Sequence, residues 1–500
     1  MFLRCAVVLG LLASAAHASP LFEVAGDPGA GGLTARENTD GPAAAYFNPA
    51  LLADLPPGVD LGVFVLAEEI GITVDGRSTS AACANGGCDV PAVDDRGPES
   101  FRDEATGMAI ANPTVPTDWL QHGHGSFGAR PRQAAGSGHK PRAYQTVGLV
   151  APVFHERLVL GLFAMIPLGE FTTAKAFYND EREQFFSNSL HPELYGDRLT
   201  ATSLAFGGGF HVTPDLRVGV TFTLSLANKA AAPVYVSNLN DLSTVDLDSN
   251  IAVNAAVAPH FGLAWTPTKR ALVTATVHTP SSFKIDTGFD YTLATGNEQA
   301  TELHFTHSYL PLQLAVGGTY RLGDDSPFSV SGELKYARWS QYRDRHDDRP
   351  SGDYAWSDTA TIAAGLRYAR PKSPTRGWID ASWVPSPVPD QTGRTNYVDN
   401  DRLGVAAGVE HVLEGWGSRF RIGVDVLGQR LLARHVTKFV SPAGNTDPKY
   451  VLDEVPDDAI DVLGQPVPGR DGLQTNNPGF PGFASSGWIL GAGLHVAIEY

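Results

Sequence analysis

The thirteen residues from Trp488 to Tyr500 alternate between two faces. One face carries Trp488, Leu490, Ala492, Leu494, Val496, Ile498 and Tyr500; the other carries Ile489, Gly491, Gly493, His495, Ala497 and Glu499. A period of two is a strand with one apolar face. Similar segments recur along the chain, fourteen in all, at roughly 58–74, 143–152, 157–168, 199–212, 216–227, 251–265, 270–285, 303–322, 327–342, 356–368, 377–387, 401–412, 419–438 and 485–500. Their connections alternate in length. Short ones hold turn residues, as in Thr213-Pro214-Asp215 and Thr266-Pro267-Thr268, whereas long ones run over about 75–142, 169–198 and 439–484. A β-sandwich also alternates along its strands. Regular short and long connections, an even count and a terminal aromatic strand instead predict an all-β fold: a 14-stranded antiparallel transmembrane β-barrel with both ends on the periplasmic side.

The N-terminus has a basic start, an apolar stretch from Cys5 to Ala16 and Ala16-His17-Ala18. This predicts a cleavable signal peptide over 1–18 and export to the bacterial outer membrane. After it, no apolar run is long enough for a spanning helix. Cys83 and Cys88 remain, and in an exported chain a close pair reads as a disulfide, with free thiols as the alternative. A formal charge of −17 argues against a nucleic-acid partner.

Between signal and first strand lies a segment, 19–57, with neither helical nor strand period. It still holds Leu21, Phe22, Tyr46, Phe47 and Leu51, which need burial. Such a segment ahead of a large barrel (58–500) is expected to plug the lumen. Asn48-Pro49-Ala50, with Phe47 and Leu51 beside it, is the expected gate.

A water-filled lumen asks for polar inward residues. Ser331, Glu333 and Lys335 meet this opposite Val330, Leu334 and Tyr336, as do Arg421 and Asp425 opposite Ile422 and Val424. The first and third strands do not: Phe64, Leu66, Phe163 and Met165 also fall inward. They pack on the plug, line a path for an apolar ligand, or do both, since a plug lying on the path closes it. Pro167, followed by Leu168-Gly169, either ends the third strand or breaks wall pairing there. Arg217, Arg321, Arg367, Arg402, Arg421 and Lys335 fall inward by parity and could meet a carboxylate. His122-Gly123-His124 lacks a nearby carboxylate and reads as polar loop rather than a metal site. No nucleotide loop or Gly-x-Ser-x-Gly is present, so neither an enzyme nor a cofactor is expected.

Several segments, in order, resemble the long-chain fatty-acid transporter (FadL-like) family of outer-membrane proteins, which includes aromatic-hydrocarbon channels. They are Gly29-Ala30-Gly31-Gly32 to Asn48-Pro49-Ala50-Leu51, Gly161 to Gly169, His278-Thr279-Pro280-Ser281-Ser282-Phe283-Lys284, Leu310 to Gly317, Glu333 to Ser340, and Ser386 to Asp390 with Asp399 to Arg402. Leu51-Leu52 departs from the family's usual Gly-Leu. The resemblance implies a fourteen-stranded barrel with an internal hatch, and diffusive uptake of hydrophobic molecules without cofactor. It implies capture in a groove between the third and fourth outer loops, here offering Val234, Tyr235, Leu239, Phe289, Tyr291 and Leu293. It also implies lateral release at a third-strand kink at Pro167 and Gly169. Expected partners are a fatty-acid-like ligand, outer-membrane lipid and lipopolysaccharide, and the barrel-assembly machinery, with the chain a monomer. The alternative is a general porin or a surface adhesin.

Overall fold

A computed structural model describes residues 20–75, 135–136, 141–153, 157–168, 190, 192–199, 201–231, 234–236, 245–247, 250–292, 298–344, 347–350, 352–415, 417–438, 479 and 482–500. Fourteen wall strands follow one another in chain order. They are β1 (Gly58–Val74), β2 (Arg142–Val153), β3 (Leu158–Leu168), β4 (Ser203–His211), β5 (Leu216–Ala231), β6 (Asn250–Thr268), β7a (Ala271–His278) continued by β7b (Ser281–Thr292), β8a (Glu298–Leu310) continued by β8b (Gln313–Arg321), β9 (Phe328–Ala337), β10 (Thr359–Ala369), β11 (Thr375–Val384), β12 (Arg402–Gly415), β13 (Ser418–Thr437) and β14 (Gly482–Glu499). Wall neighbours pair antiparallel. The first meets the last in continuous register from Gly58↔Glu499 to Val74↔Phe483, which closes the barrel.

The seventh and eighth strands, expected to be unbroken, are each divided in the structure, at Thr279-Pro280 and at Pro311-Leu312. Proline has no N–H to give a ladder, so the run breaks where it stands. Strand ends at Leu199 and Trp339 also differ, because Gly196–Leu199 and Trp339–Gln341 turn as 3-10 helix.

The outer face is apolar. Leu61, Leu149, Val316, Leu334, Val426 and Leu490 are exposed on it. Trp265, Tyr320, Phe328 and Tyr368 lie exposed near the short-turn ends, and Tyr336, Trp383 and Trp488 towards the other. An apolar band between two aromatic girdles on a closed, even-stranded barrel is the form of an outer-membrane protein.

At the long-loop end, aromatic residues from several connections pack together. Tyr342 and Trp356 stack with ring centroids 3.5 Å apart, and Tyr309 and Tyr397 meet Tyr342 edge-on. The Tyr342 hydroxyl donates to Glu193 (2.9 Å) and that of Tyr397 to Asp344 (2.9 Å).

Candidate gate and apolar chamber

Segment 20–57 packs on the inward side of the wall. It forms short helices α1 (Leu21–Ala25), α2 (Ala35–Asn38) and α3 (Ala44–Phe47), then a 3-10 turn at Pro49–Asp54. Asn48 is the hinge between the last two. Its backbone is extended (φ −155°, ψ 97°), and its Oδ1 accepts the Ala50 N–H at 3.1 Å. Pro49 then occupies the first position of the turn, where no N–H is needed. Asn48 Nδ2 donates to the Arg36 carbonyl at 3.0 Å, and the residue is fully buried.

What lies under Asn48-Pro49-Ala50 is a row of glycines. Gly209, Gly219 and Gly262 are register partners across β4, β5 and β6. A Cβ on Gly219 would stand 2.2 Å from the Pro49 carbonyl carbon, and one on Gly262 2.2 Å from Asn48 Oδ1. On Gly209 it would meet the Pro49 oxygen at 2.5 Å. Only side-chain-free wall lets the tripeptide lie this close. One strand over, Gly161 of β3 leaves room for Leu52 in the same way.

Next to this row is an apolar layer. Phe64, Leu66, Phe163 and Met165 are buried together with Leu21, Phe22, Tyr46, Phe47 and Leu51. Phe22 bridges segment and wall, with ring centroids 4.5 Å from Tyr46 and 5.4 Å from Phe163. In this arrangement the four wall residues pack on the segment, one of the two roles considered from the sequence.

Around the layer, charged groups tie segment to wall. Glu23 accepts from Arg36 (2.7 Å), Lys335 (2.5 Å) and the Tyr46 hydroxyl (2.8 Å). Burial alone would raise the Glu23 carboxyl, but the charges of Arg36 and Lys335 hold it well below the usual carboxylate range. Arg36 reaches on to Gln313 and Glu333. Asp380 of β11 accepts the backbone N–H groups of Leu33 and Thr34 and pairs with Arg367. Asp40 pairs with Arg376 and Arg421, and Asp54 with Arg217. Glu37 faces Thr274, and its carboxyl is pushed well above its ordinary value, first by burial and then by the charge of Glu333. Of the basic residues placed inward by parity, Arg217, Arg367, Arg421 and Lys335 are therefore engaged with the segment or with wall carboxylates. Arg402 donates to Gln429, and Arg321 is exposed at the rim.

The wall itself changes beside the apolar layer. β3 stays paired with β2 through Pro167↔Tyr144 to Leu168↔Ala143. Its ladder with β4 stops at Met165↔Ser203. Beyond that point lies the turn Gly196–Leu199, held by the Tyr144 hydroxyl donating to the Leu199 carbonyl at 3.0 Å. Pro167 is thus inside β3, buried, at the level where the β4 ladder has ended.

The structure buries Phe47, Ala50 and Leu51 in one cluster with Phe64, Leu66, Phe163 and Met165, while Asn48 and Pro49 are buried on the glycine row beside it. The outer-groove residues are only partly placed. Val234 and Tyr235 pair through their backbones with Tyr291 and Thr292, and Phe289 lies two residues before Tyr291 on β7b. Leu239, Leu293, Gly169, His122, His124, Cys83, Cys88, the signal peptide and most of loop 169–198 lie outside the described residues. Neither the glycine row nor the ties through Glu23, Arg36, Asp40 and Asp380 were identified from the sequence. For the pair Gly209 and Gly219 a signal existed, since the short turn Thr213-Pro214-Asp215 sets them opposite each other.

No family model matches the sequence, and no curated protein matches it. Solved structures do. A FadL homologue from Pseudomonas aeruginosa superposes with a TM-score of 0.51 at 14% identity, covering 98% of this chain and 99% of that one. The toluene transporter TodX of P. putida (11% identity, 92% and 94% covered) and the toluene transporter TbuX of Ralstonia pickettii (12% identity, 97% and 99% covered) superpose more loosely, with TM-scores of 0.45 and 0.43. The likeness to the FadL homologue over nearly the whole of both chains gives this protein the fold of the FadL-like outer-membrane transporters that its sequence resembles.

Proposed function

We propose that this protein is an outer-membrane channel through which hydrophobic molecules, long-chain fatty acids or related apolar compounds, diffuse without an energy source. The observation that carries this reading is the apolar layer of Phe64, Leu66, Phe163 and Met165, buried against segment 20–57 and beside the end of the β3–β4 ladder. Once segment side chains move off it, such a layer offers an apolar surface to a hydrophobic ligand. In this reading segment 19–57 is a hatch, with Phe47 to Leu51 as its gate. Ligand collects at the outer groove of Val234, Tyr235, Leu239, Phe289, Tyr291 and Leu293. It displaces hatch side chains from the apolar layer and leaves sideways past Pro167 and Gly169 into the bilayer. The likeness to a FadL homologue agrees with an apolar cargo. The chain acts as a monomer, is inserted by the barrel-assembly machinery through β14 and sits among lipid and lipopolysaccharide.

Burial of apolar surface contributes roughly 25 cal/mol per Å², so one methylene alters affinity by only about 0.8 kcal/mol. Selectivity among neighbouring chain lengths is therefore shallow. The test is uptake in a strain lacking its own transporter. Restored growth on a long-chain fatty acid or an aromatic hydrocarbon is expected; faster entry of small sugars without it would sink the reading. With Asn48 and Pro49 both replaced by Ala, uptake should change, and unchanged uptake and folding would remove the gate role.

A further inference from the structure

Helix α1 reads Leu21-Phe22-Glu23-Val24-Ala25, apolar but for one carboxylate. Leu21 and Phe22 are buried in the apolar layer, with Phe22 against Phe163. The next side chain leaves that layer for a basic cradle. One carboxylate oxygen of Glu23 accepts from Arg36 at 2.7 Å and from the Tyr46 hydroxyl at 2.8 Å; the other accepts from Lys335 Nζ at 2.5 Å. An apolar body ending in a carboxylate is also the anatomy of a fatty acid. The helix is short and stops at Gly26, whose φ of 69° is left-handed, so it can leave without unwinding a longer element. The cradle stays behind. Lys335 belongs to β9, and Arg36 is tied to Gln313 of β8b and Glu333 of β9.

One more group faces Glu23 and is unused by it. His278 of β7a is 3% exposed, and neither of its ring nitrogens is hydrogen-bonded among the described residues. Its Nδ1 stands 3.9 Å from the Glu23 carboxylate, too far for a hydrogen bond. It stacks on His260, with Tyr46 edge-on to both rings. Buried polar atoms without a partner are rare and costly. A carboxylate that is not fixed to a helix backbone has the slack to reach this one. Charge points the same way. Glu23 and Glu333 together face two cations, Arg36 and Lys335; with α1 gone, Glu333 faces both alone. The neighbouring Glu37 carboxyl is pushed well up by burial and then by Glu333, which favours its neutral form. A buried cation left without its partner is strongly unfavourable, so the vacated cradle calls for another anion. A carboxylate answers it; an alcohol or a hydrocarbon does not.

We propose that Lys335, Arg36 and His278 form a carboxylate-binding subsite, and that α1 occupies it in the closed channel as a built-in stand-in, with Glu23 in the place of a ligand's head group and Leu21 and Phe22 in the place of its tail. This rests on the channel reading above and narrows its cargo to apolar chains that end in a carboxylate. The ligand opens the hatch by exchanging one carboxylate for another.

The experiment is binding of oleate and of oleyl alcohol, which share a tail and differ in head group, to the purified full-length protein in non-ionic detergent by titration calorimetry, at a pH where oleate is ionised. The ratio of the two affinities is read, because a general loosening of the segment alters both alike. Wild type should prefer oleate. Lys335→Met should cut that preference roughly tenfold, and Glu23→Gln, which keeps the helix and removes its charge, should raise it several-fold. Where Lys335→Met yields no heat-modifiable barrel, Glu23→Gln alone decides. No preference in wild type, an unchanged preference in folded Lys335→Met, or one that does not rise in Glu23→Gln would overturn the subsite and leave the channel reading standing. Wild type that binds neither probe would overturn both.

Discussion

Gly219 has no space for a side chain, since Pro49 occupies the position its Cβ would take. Gly219→Val should lift the tripeptide from the wall and cost about 1–3 kcal/mol, the range for overpacking. A lower temperature for the heat-modifiable gel shift would register it, while Gly415→Ala, at a site with open space, should leave that temperature unchanged. A second residue-scale effect belongs to the outer loops. Burial pushes the Asp344 carboxyl up from 3.8 to about 7, above its value in an unfolded chain. The folded loops therefore carry no penalty from this group at low pH, lose stability as the pH rises from about 4 to 7, and lose no more above that. Tryptophan fluorescence from the Trp356 cluster should report looser loops at pH 8 than at pH 5, and Asp344→Asn should flatten the difference. Residue faces were legible in the sequence wherever strand period was clean, as at Ser331 to Tyr336. The glycine row was legible only in part: a three-residue turn pins Gly209 to Gly219, but the long excursion between β5 and β6 hides the match of Gly219 with Gly262.

At the scale of elements, β3 is the strand whose two edges differ. It pairs to its end on the β2 side and stops at Met165 on the β4 side. Backbone groups left without a ladder in a membrane need other partners, because lipid offers none. Pro167 gives no N–H to either side. Pro167→Val supplies one and favours continued pairing, so uptake of an apolar ligand should fall several-fold in a transport assay while β-sheet content by circular dichroism stays the same. Uptake equal to wild type would argue against sideways release there. Proline was visible in the sequence at this position and at Pro280 and Pro311, yet its effect differs: two of the three divide a strand, and Pro167 does not. Which outcome follows depends on whether the neighbouring strand continues alongside, and that is a property of the sheet.

For the whole molecule, closure and filling are separable. The β1–β14 seam is made by backbone pairing along the full strands, and segment 20–57 adds to it only at its end, where the Pro57 carbonyl accepts from the Tyr500 N–H. Removing 20–57 should leave a closed barrel whose inward charges (Glu333, Arg367, Asp380 and Arg421) are solvated by water. Conductance should rise at least tenfold, with lower thermal stability; a deletion that no longer forms a heat-modifiable barrel would show that the segment is needed for closure. The seam and strand count could be read from alternation and connection length because both are local patterns. The ties from the segment could not, since Asp40 meets Arg421 and Thr34 meets Asp380 across more than three hundred residues.

Those same long ties set an order of events during biogenesis. Segment 20–57 precedes every wall strand in the chain, but its partners lie on strands from β1 to β13. It cannot find its place until almost all of the wall exists, and contacts so distant along a chain form slowly. A stretch that precedes the whole wall in the chain is thus the last to settle, and a barrel caught before that moment would be complete in its wall and open through its centre.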